Sequence, residues 1–171
     1  MTFPKNVGQI PLFYNHKNTG RPLQNGEIGF EKFRSNYLDV DNDALYPFGY
    51  GLSYTTFQYG DIVLNTPTMK QNETITATIQ VTNSGKYDGA EVVQLYIRDL
   101  VGSITRPVRE LKGFKKVFLK AGESKTISFK ITADLLRFYD YDLNQVTEPG
   151  EFDIFIGGSS QATKTARLTL K

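Results

Sequence analysis

Residues 58 to 171 alternate between apolar and polar side chains with a period of two residues. In the stretch ETITATIQVTN, the apolar positions are Ile75, Ala77, Ile79 and Val81, and threonines with one glutamine lie between them. Such alternation is typical of a β-strand that buries one of its faces. The same pattern recurs in six further stretches, in chain order QYGDIVLN, GAEVVQLYIRD, RELKGFKKVFLK, SKTISFKIT, GEFDIFIGG and ARLTLK.

Turn-forming residues separate these predicted strands, as in NSGKYDG, KAGES and EPGE. Short strands separated by turn signals every 8 to 12 residues or so are the signature of a β-sandwich. Helix-length amphipathic runs are absent from this region, although residues 133 to 142 could form either one helical turn or a loop that leads to another strand. The prediction is an all-β fold, a sandwich of about seven strands of the immunoglobulin-like class. The fibronectin type III-like form is favoured because cysteine and tryptophan are absent.

Residues 1 to 57 have a different character. Asparagine, glycine and proline recur there without a sustained period, and ten aromatic rings lie between Phe3 and Tyr54. The stretch VGQIPLFYN predicts one short buried strand, but a single strand followed by loops leaves its backbone groups and rings without partners. We therefore expect this region to come from a larger domain. On its own it would be partly disordered, or packed against the sandwich or a second copy of the chain.

The composition excludes several kinds of site. Without cysteine, the chain has no disulfide, no thiol nucleophile and no cysteine-based zinc site, and its single histidine, His16, excludes an all-histidine metal site. Lysine and arginine alternate with apolar residues between Arg98 and Lys130, which favours a solvated sheet face over a nucleic-acid surface. No apolar run approaches the roughly 20 residues of a membrane span. We predict no cofactor, no metal, no nucleic-acid partner and no membrane span.

Two unusual stretches carry a resemblance to a known family. LYPFGYGLSYTTF, followed by the strand pattern and by RPVRELKGF, resembles the C-terminal part of family 3 glycoside hydrolases, and in particular bacterial β-glucosidases of the periplasmic type. The resemblance implies that residues 1 to 57 are the end of an α/β sandwich domain and its connector. It also implies that residues 58 to 171 are a fibronectin type III-like domain. The start of the chain shows no signal-peptide pattern, so its residues do not indicate a compartment. The resemblance implies a periplasmic or secreted location.

The same resemblance defines what the chain is expected to do. Retaining glycosidases use two carboxyl groups about 5 to 5.5 Å apart. In the family, the nucleophile lies in a Ser-Asp-Trp type motif of an N-terminal barrel, and the acid/base glutamate lies in an earlier part of the second domain. The chain contains no tryptophan, and we assign no catalytic residue to it. We expect an inactive, structural piece of a hydrolase of β-glucosides or related β-glycosides.

Its expected partners are the remaining domains of that parent hydrolase, with oligosaccharide contact only in the intact enzyme. A homodimer formed through residues 1 to 57 is a further possibility. The alternative function is a stand-alone carbohydrate-binding or adhesion module, which the absence of tryptophan disfavours, since tryptophan is the usual platform for sugar rings.

Six residues are candidates for interdomain or cleft-rim contacts: His16, Arg21, Phe48, Tyr50, Tyr54 and Arg106. The three rings could stack on sugars, but burial at a domain junction is the favoured interpretation, because Gly49 and Gly51 let the chain bend between them.

A cluster of carboxylates in NYLDVDNDALYPF suggests a calcium loop, with Asp39, Asp41 and Asp43 as ligands. The glycine at the sharp turn and the closing bidentate glutamate of such loops are absent, so a solvated turn-forming loop is favoured.

Overall fold

The computed structural model of the chain describes residues 1–18, 21 and 32–171. The elements are one short 3₁₀ helix, η1 (Val7–Gln9), one short helix, α1 (Ala133–Leu136), and eleven strands. The strands are β1 (Phe57–Tyr59), β2 (Val63–Leu64), β3 (Thr68–Met69), β4 (Thr74–Asn83), β5 (Gly89–Asp99), β6 (Glu110–Leu119), β7 (Ser124–Thr132), β8 (Phe138–Tyr139), β9 (Gln145–Val146), β10 (Gly150–Gly157) and β11 (Thr165–Leu170). No helix within these described residues is long and apolar enough to cross a membrane.

The long strands form two sheets that face each other. In the first sheet, β4 pairs with β7 along one edge, in register from Thr74↔Thr132 to Thr82↔Ser124, and with β1 and β2 along the other edge. The second sheet has the order β3-β11-β10-β5-β6. All pairs are antiparallel except β3 with β11, which run parallel. The predicted all-β sandwich is therefore confirmed.

The core lies between the sheets and consists of the apolar positions that the alternating pattern marks. The first sheet contributes Ile75, Ala77, Ile79 and Val81 from β4, all 1% exposed or less. The second sheet contributes alternate residues of β5, β10 and β11, namely Val93, Leu95, Ile97, Phe152, Ile154, Ile156, Leu168 and Leu170. Because side chains alternate across a strand, a period of two is sufficient to assign these residues to the inner face.

Two regions of the sandwich differ in detail from the predicted elements. The stretch QYGDIVLN forms two short strands, β1 and β2, rather than one, and both pair with β4. Residues 133 to 142 contain both of the alternatives considered, since α1 is followed by β8, which pairs with β9.

Strand β5 is buried on both faces around its centre. Val93, Leu95 and Ile97 face the core, and Gln94 and Tyr96 on the opposite face are 4% and 0% exposed. The cover on that outer face comes from residues 1 to 57. This double burial makes the outer face of the second sheet the place where the two parts of the chain meet.

Residues 1 to 57 form no strand of their own before β1 within the described ranges. The buried strand predicted for VGQIPLFYN is wrong: Val7–Gln9 form η1, and Val7 and Ile10 are 84% and 63% exposed. The backbone there finds no neighbouring strand to pair with, and Pro11 lacks the N–H group that a sheet ladder needs. Of the ten aromatic residues between Phe3 and Tyr54, Phe30 lies outside the described residues.

Candidate interdomain site

The candidate site is the junction, by which we mean the contact between residues 1–57 and the outer face of β5, β10 and the turn that follows β10. Its centre is the connector, residues 46–57. The backbone of Ser160 donates a hydrogen bond to the Phe48 carbonyl at 2.8 Å, and Val108 N–H donates one to the His16 carbonyl at 2.9 Å. These bonds attach an irregular segment to the sandwich through main-chain groups.

Gln94 links the connector to the sheet through its buried side-chain amide. Its Nε2 donates to the carbonyl oxygens of Gly49 at 3.0 Å and Gly158 at 2.7 Å, and Tyr96 Oη donates to its Oε1 at 2.5 Å. The amide therefore satisfies three partners in a place where an unpaired polar group would cost free energy. Burial raises the pKa of the Tyr96 phenol above its ordinary value, so the hydroxyl remains a donor.

Gly49 is required at the point of closest approach. Its φ is +80°, a conformation that residues with a Cβ rarely adopt, and a Cβ built there would lie 2.0 Å from Gln94 Oε1. Gly51 has open space around its own Cβ position and no positive φ. Of the two glycines of the connector, only Gly49 has a conformational reason to be glycine.

Stacked rings form the second half of the junction. Tyr14 stacks on Phe48 with ring centroids 4.2 Å apart, and its ring meets Tyr96 edge-on at 5.8 Å. The backbone N–H of Leu111 donates to Tyr14 Oη at 3.4 Å. Rings in such offset and edge-on contacts add about 0.5–1.5 kcal/mol each beyond their buried area.

Asn83, at the end of β4, fixes the far end of the connector. Thr55 Oγ1 donates to Asn83 Oδ1 at 2.5 Å, while Asn83 Nδ2 donates to the carbonyl oxygens of Tyr87 at 2.8 Å and Leu119 at 3.0 Å. Asn83 is 0% exposed and Thr55 is 8% exposed. A buried amide with this many partners ties the connector, β4 and β6 to one another.

A groove of about 1260 Å³ opens between the N-terminal residues and the outer sheet face. We call it the junction groove, and its lining includes Pro11, Phe13, Arg98, Arg109, Asp153 and Phe155. The Arg109 guanidinium lies 3.8 Å from the centroid of the Phe155 ring and donates to the carbonyl oxygens of Ser160 and Ala162. Burial lowers the pKa of Arg109 below its ordinary value.

A smaller cavity of about 590 Å³ lies on the other side of the connector. There Tyr59 Oη donates to Glu91 Oε1 at 2.5 Å. Burial raises the pKa of the Glu91 carboxyl, and the hydrogen bond from Tyr59 opposes that shift. Burial, together with this hydrogen bond, raises the pKa of Tyr59 as well. A single shielded carboxyl paired with a phenol offers no second acid for glycoside hydrolysis.

The acidic loop is held by internal contacts. Lys5 Nζ binds both oxygens of Asp41 at 2.6 and 2.7 Å, and the buried Gln9 donates to the carbonyl oxygens of Asp41 and Asp43. Asp39 accepts a hydrogen bond from Asn6 at 3.2 Å. No group of three or more His, Asp or Glu side chains in the described ranges could hold a metal ion.

The structure brings some of the predicted candidates to the junction and leaves others at its margin. Phe48 is at the centre. Tyr50 stacks on Tyr46 at 5.3 Å and is 49% exposed, and Tyr54 is 97% exposed. His16 is exposed and its Nδ1 lies 2.9 Å from the Lys17 carbonyl, while the Arg21 carbonyl accepts a hydrogen bond from Ser35 N–H. Their role in contacts between domains stays a prediction.

Arg106 lies in the loop between β5 and β6, next to Pro107, whose backbone forms a bridge with Lys17, and its interdomain role stays a prediction. Its Nη2 binds Glu110 at 2.8 Å, its Nε is 3.8 Å from Asp99 Oδ2, and the guanidinium lies 4.4 Å from the centroid of the Phe138 ring. Burial raises the pKa of Asp99, and the charge of Arg106 opposes that shift. The arginine thus joins β5, β6 and β8.

Sequence reasoning missed the polar centre of the junction. Gln94, Asn83 and Arg109 were not among the predicted candidates. One signal was available for the first of them: in EVVQLYIRD a tyrosine occupies the face that alternation assigns to polar residues, which indicates a strand with cover on both sides. No comparable signal marks Asn83 or Arg109, because their partners are distant in sequence.

Residues 1–57 leave a number of large apolar side chains exposed, and we call these side chains the outer side of this region. Val7, Leu52 and Tyr54 are 84%, 89% and 97% exposed, and further members are Phe3, Ile10, Phe33, Leu38 and Leu45. Single exposed apolar residues are normal, but a short segment with many exposed large apolar side chains favours a surface that another body covers.

Comparison with known proteins is consistent with this picture. A family model described as a fibronectin type III-like domain matches residues 91–160. The chain is 47% identical over 170 residues to a periplasmic β-glucosidase of Salmonella typhimurium and 46% identical over 173 residues to a β-xylosidase of Formosa agariphila. A crystal structure of a β-glucosidase from Listeria innocua in complex with gluconolactone superposes with a TM-score of 0.90 at 40% identity and covers 99% of this chain.

The chain covers only a minor part of each of these proteins. It spans 22% of the Salmonella protein, 23% of the Formosa protein and 23% of the Listeria protein chain. The resemblance stated from the connector and RPVRELKGF is confirmed. In sequence and in fold, the chain corresponds to the C-terminal part of a family 3 glycoside hydrolase of the β-glucosidase type, with its fibronectin type III-like domain.

Proposed function

We propose that this chain is a non-catalytic structural part of a retaining hydrolase of β-glucosides or related β-glycosides. In the complete enzyme, both catalytic carboxylates come from polypeptide outside the 171 residues. Residues 1–57 act as the end of the preceding α/β domain with its connector, and residues 58–171 act as the fibronectin type III-like domain. The function of the chain is to hold that preceding domain on the sandwich.

One observation carries this proposal: residues 1–57 have two unlike sides. The inner side is attached to the sandwich by Gln94, Tyr14 and the backbone bonds of the junction. The outer side exposes large apolar groups such as Val7, Leu52 and Tyr54. Burial of apolar surface is worth roughly 25 cal/mol per Å², so covering this side with the remaining domains would stabilise both partners.

The candidates at the margin of the junction fit the same role. Tyr50, Tyr54 and His16 have exposed side chains beside the apolar outer side, where contacts with the preceding domains or with the rim of a substrate cleft would be made. Arg21 is exposed as well. Periplasmic or secreted localisation is part of the proposal and rests on the name of the Salmonella relative.

The experiment is a chimera of the Salmonella relative in which this chain replaces the matching 22%. We expect the chimera to hydrolyse a chromogenic β-glucoside, while the isolated chain shows no turnover. Replacing the outer apolar residues, as in Leu52→Asp, should shorten the half-life of the chimera on heating, because the buried contact is lost. The matched control is Val101→Asp, on an exposed loop of the sandwich at 80% exposure.

The result has three clear readings. Turnover by the isolated chain, or an inactive chimera, contradicts the proposal. Retardation of the chain in gels that contain soluble β-glucans favours a carbohydrate-binding module instead. Sedimentation of the isolated chain as a stable dimer that Leu52→Asp dissociates indicates that a second copy covers the outer side of residues 1–57.

A further inference from the structure

The junction groove contains an arginine for which the described residues provide no hydrogen bond or ion pair. Arg98 lies on β5 two residues beyond Tyr96, on the same outer face, and its side chain lines the groove. It is half-buried and makes no hydrogen bond or ion pair in the part of the chain that the structure describes. Arginine side chains in such positions are generally paired, because a shielded charge without a counter-ion is costly.

The charges around the groove are predominantly positive, although Asp153 lies opposite Arg98 in the register of β5 and β10. Arg109 brings a second guanidinium, which carbonyl oxygens and the Phe155 ring hold in place. The charge of Arg98 contributes to the lowered pKa of Arg109, so the two cations repel one another. The acids are already engaged: Asp153 binds Arg167 at 2.8 Å, and Asp43 accepts a hydrogen bond from Gln161 at 3.2 Å.

We propose that Arg98, supported by Arg109, is a binding site for a carboxylate, and that its occupant is an Asp or Glu side chain from the remaining polypeptide of the parent hydrolase. A guanidinium presents parallel N–H donors that match the two oxygens of a carboxylate, and such charge-assisted pairs are stronger than neutral hydrogen bonds. This inference rests on the proposed function, because it names the chemistry of the partner at the same junction.

The walls of the groove favour a polypeptide as the occupant. Apolar groups of Pro11, Phe13 and Phe155 line it beside the cations, and Phe13 is 50% exposed. The volume of about 1260 Å³ exceeds what a single carboxylate fills and suits a chain segment with apolar and acidic side chains. More than three quarters of each related enzyme lies outside the region that this chain matches, so such a segment is available.

The test uses the isolated chain and a fluorescein-labelled hexaglutamate peptide, with binding followed by fluorescence anisotropy at low salt. We expect Arg98→Gln to weaken binding by at least about fivefold, in line with loss of one charge-assisted contact. The matched control is Arg137→Gln, which removes the same charge from a surface arginine outside the groove that is paired with Asp134. It should change the affinity less than about twofold. Equal affinities for the Arg98→Gln and Arg137→Gln variants would overturn the proposal.

A second probe separates an acidic polypeptide from an acidic saccharide. Labelled hexagalacturonate carries the same number of carboxylates as hexaglutamate. Weaker binding of the saccharide supports the proposal. Tighter binding of the saccharide that Arg98→Gln abolishes would overturn it and assign the site to acidic sugars.

The chimera keeps this inference distinct from the proposed function. If the chimera is active and Arg98→Gln shortens its half-life on heating more than Arg137→Gln does, both stand. If it is active and the two variants are equally stable, the carboxylate site is wrong and the structural role survives. If the unaltered chimera is inactive, the structural role fails, and the peptide titration still tests Arg98 on the isolated chain.

Discussion

The sandwich and residues 1–57 are stabilised by different means. The sandwich buries a continuous apolar core between its sheets, with residues such as Ile79 and Ile154 at 1% exposure or less. In residues 1–57, the buried side chains among those described are Gln9 and Thr55, and both are polar. The first region is therefore maintained by its own hydrophobic burial, and the second by hydrogen bonds and ring stacking on a surface that the first supplies.

We expect from this difference that the sandwich folds by itself and that residues 1–57 need its surface. The sandwich should keep most of its core if the junction were broken, since the connector ring that packs against that core, Phe57, is itself the first residue of β1. The dependent segment would lose its template if the sandwich unfolded. Substitutions in the sandwich should therefore unfold the whole chain, whereas substitutions at the junction should release residues 1–57 alone.

Ile154→Ala should lower the free energy of unfolding of the whole chain by about 2–5 kcal/mol, because it removes buried methyl groups and leaves a cavity between the sheets. Ile154 is 0% exposed and pairs in register with Ile97 and Ala166. Urea denaturation followed by far-UV circular dichroism measures the change. The control is Val63→Ala, at a position that is 62% exposed, and its free energy of unfolding should stay within about 0.5 kcal/mol of that of the unaltered chain.

Gly49→Ala should detach the connector while leaving the sandwich folded. The new Cβ would collide with Gln94 Oε1, and the positive φ adds strain, which together cost the junction about 1–3 kcal/mol. Hydrogen exchange should rise in residues 1–18 and remain slow in β4 and β10. Gly51→Ala is the control, and faster exchange in both variants would show that flexibility of the connector, not contact with Gln94, is responsible.

Tyr14→Leu should weaken the junction by about 0.5–1.5 kcal/mol, because leucine keeps apolar area but loses the stacking on Phe48 and the edge contact with Tyr96. Limited proteolysis should cut the variant faster before residue 57 than the original chain. Tyr54→Leu replaces a ring that is 97% exposed and should leave the rate unchanged. If proteolysis is accelerated equally in both variants, the Tyr14 ring does not stabilise the junction in particular.

The acidic loop should show the smallest effect, as a weak dependence on pH. The hydrogen bond from Lys5 holds the folded pKa of Asp41 below its ordinary value of 3.8. The contribution of this pair is therefore complete above pH 3.8 and is lost as the pH falls through the lower folded pKa. Exchange rates in residues 1–18 should rise below pH 3.8, and Asp41→Asn should remove that rise. If the exchange rates still rise below pH 3.8 in the Asp41→Asn variant, a different acid is responsible.

Much of the sandwich could be predicted from local sequence. Alternation in ETITATIQVTN and GEFDIFIGG assigned the inner faces of β4 and β10 correctly, because the position of a side chain in a strand follows from its parity. The tyrosine in EVVQLYIRD indicates that the outer face of β5 is covered, but local sequence cannot identify the cover, which comes from residues about 45 to 80 positions earlier. The same limit explains why the stretch VGQIPLFYN predicts a buried strand: its apolar residues suit burial, and only the fold shows that Val7, Ile10 and Phe13 are exposed.

Contiguous residues were enough to predict the all-β sandwich and the family resemblance, because periodicity and the connector motif are local properties, and the ring count predicts that residues 1–57 depend on a partner. The folded chain was needed to show which glycine is constrained, which amide joins the two regions and which arginine makes no ion pair within the described residues. Those features arise when groups distant in the chain approach within a few ångströms, and their energies depend on burial and geometry that no local pattern records.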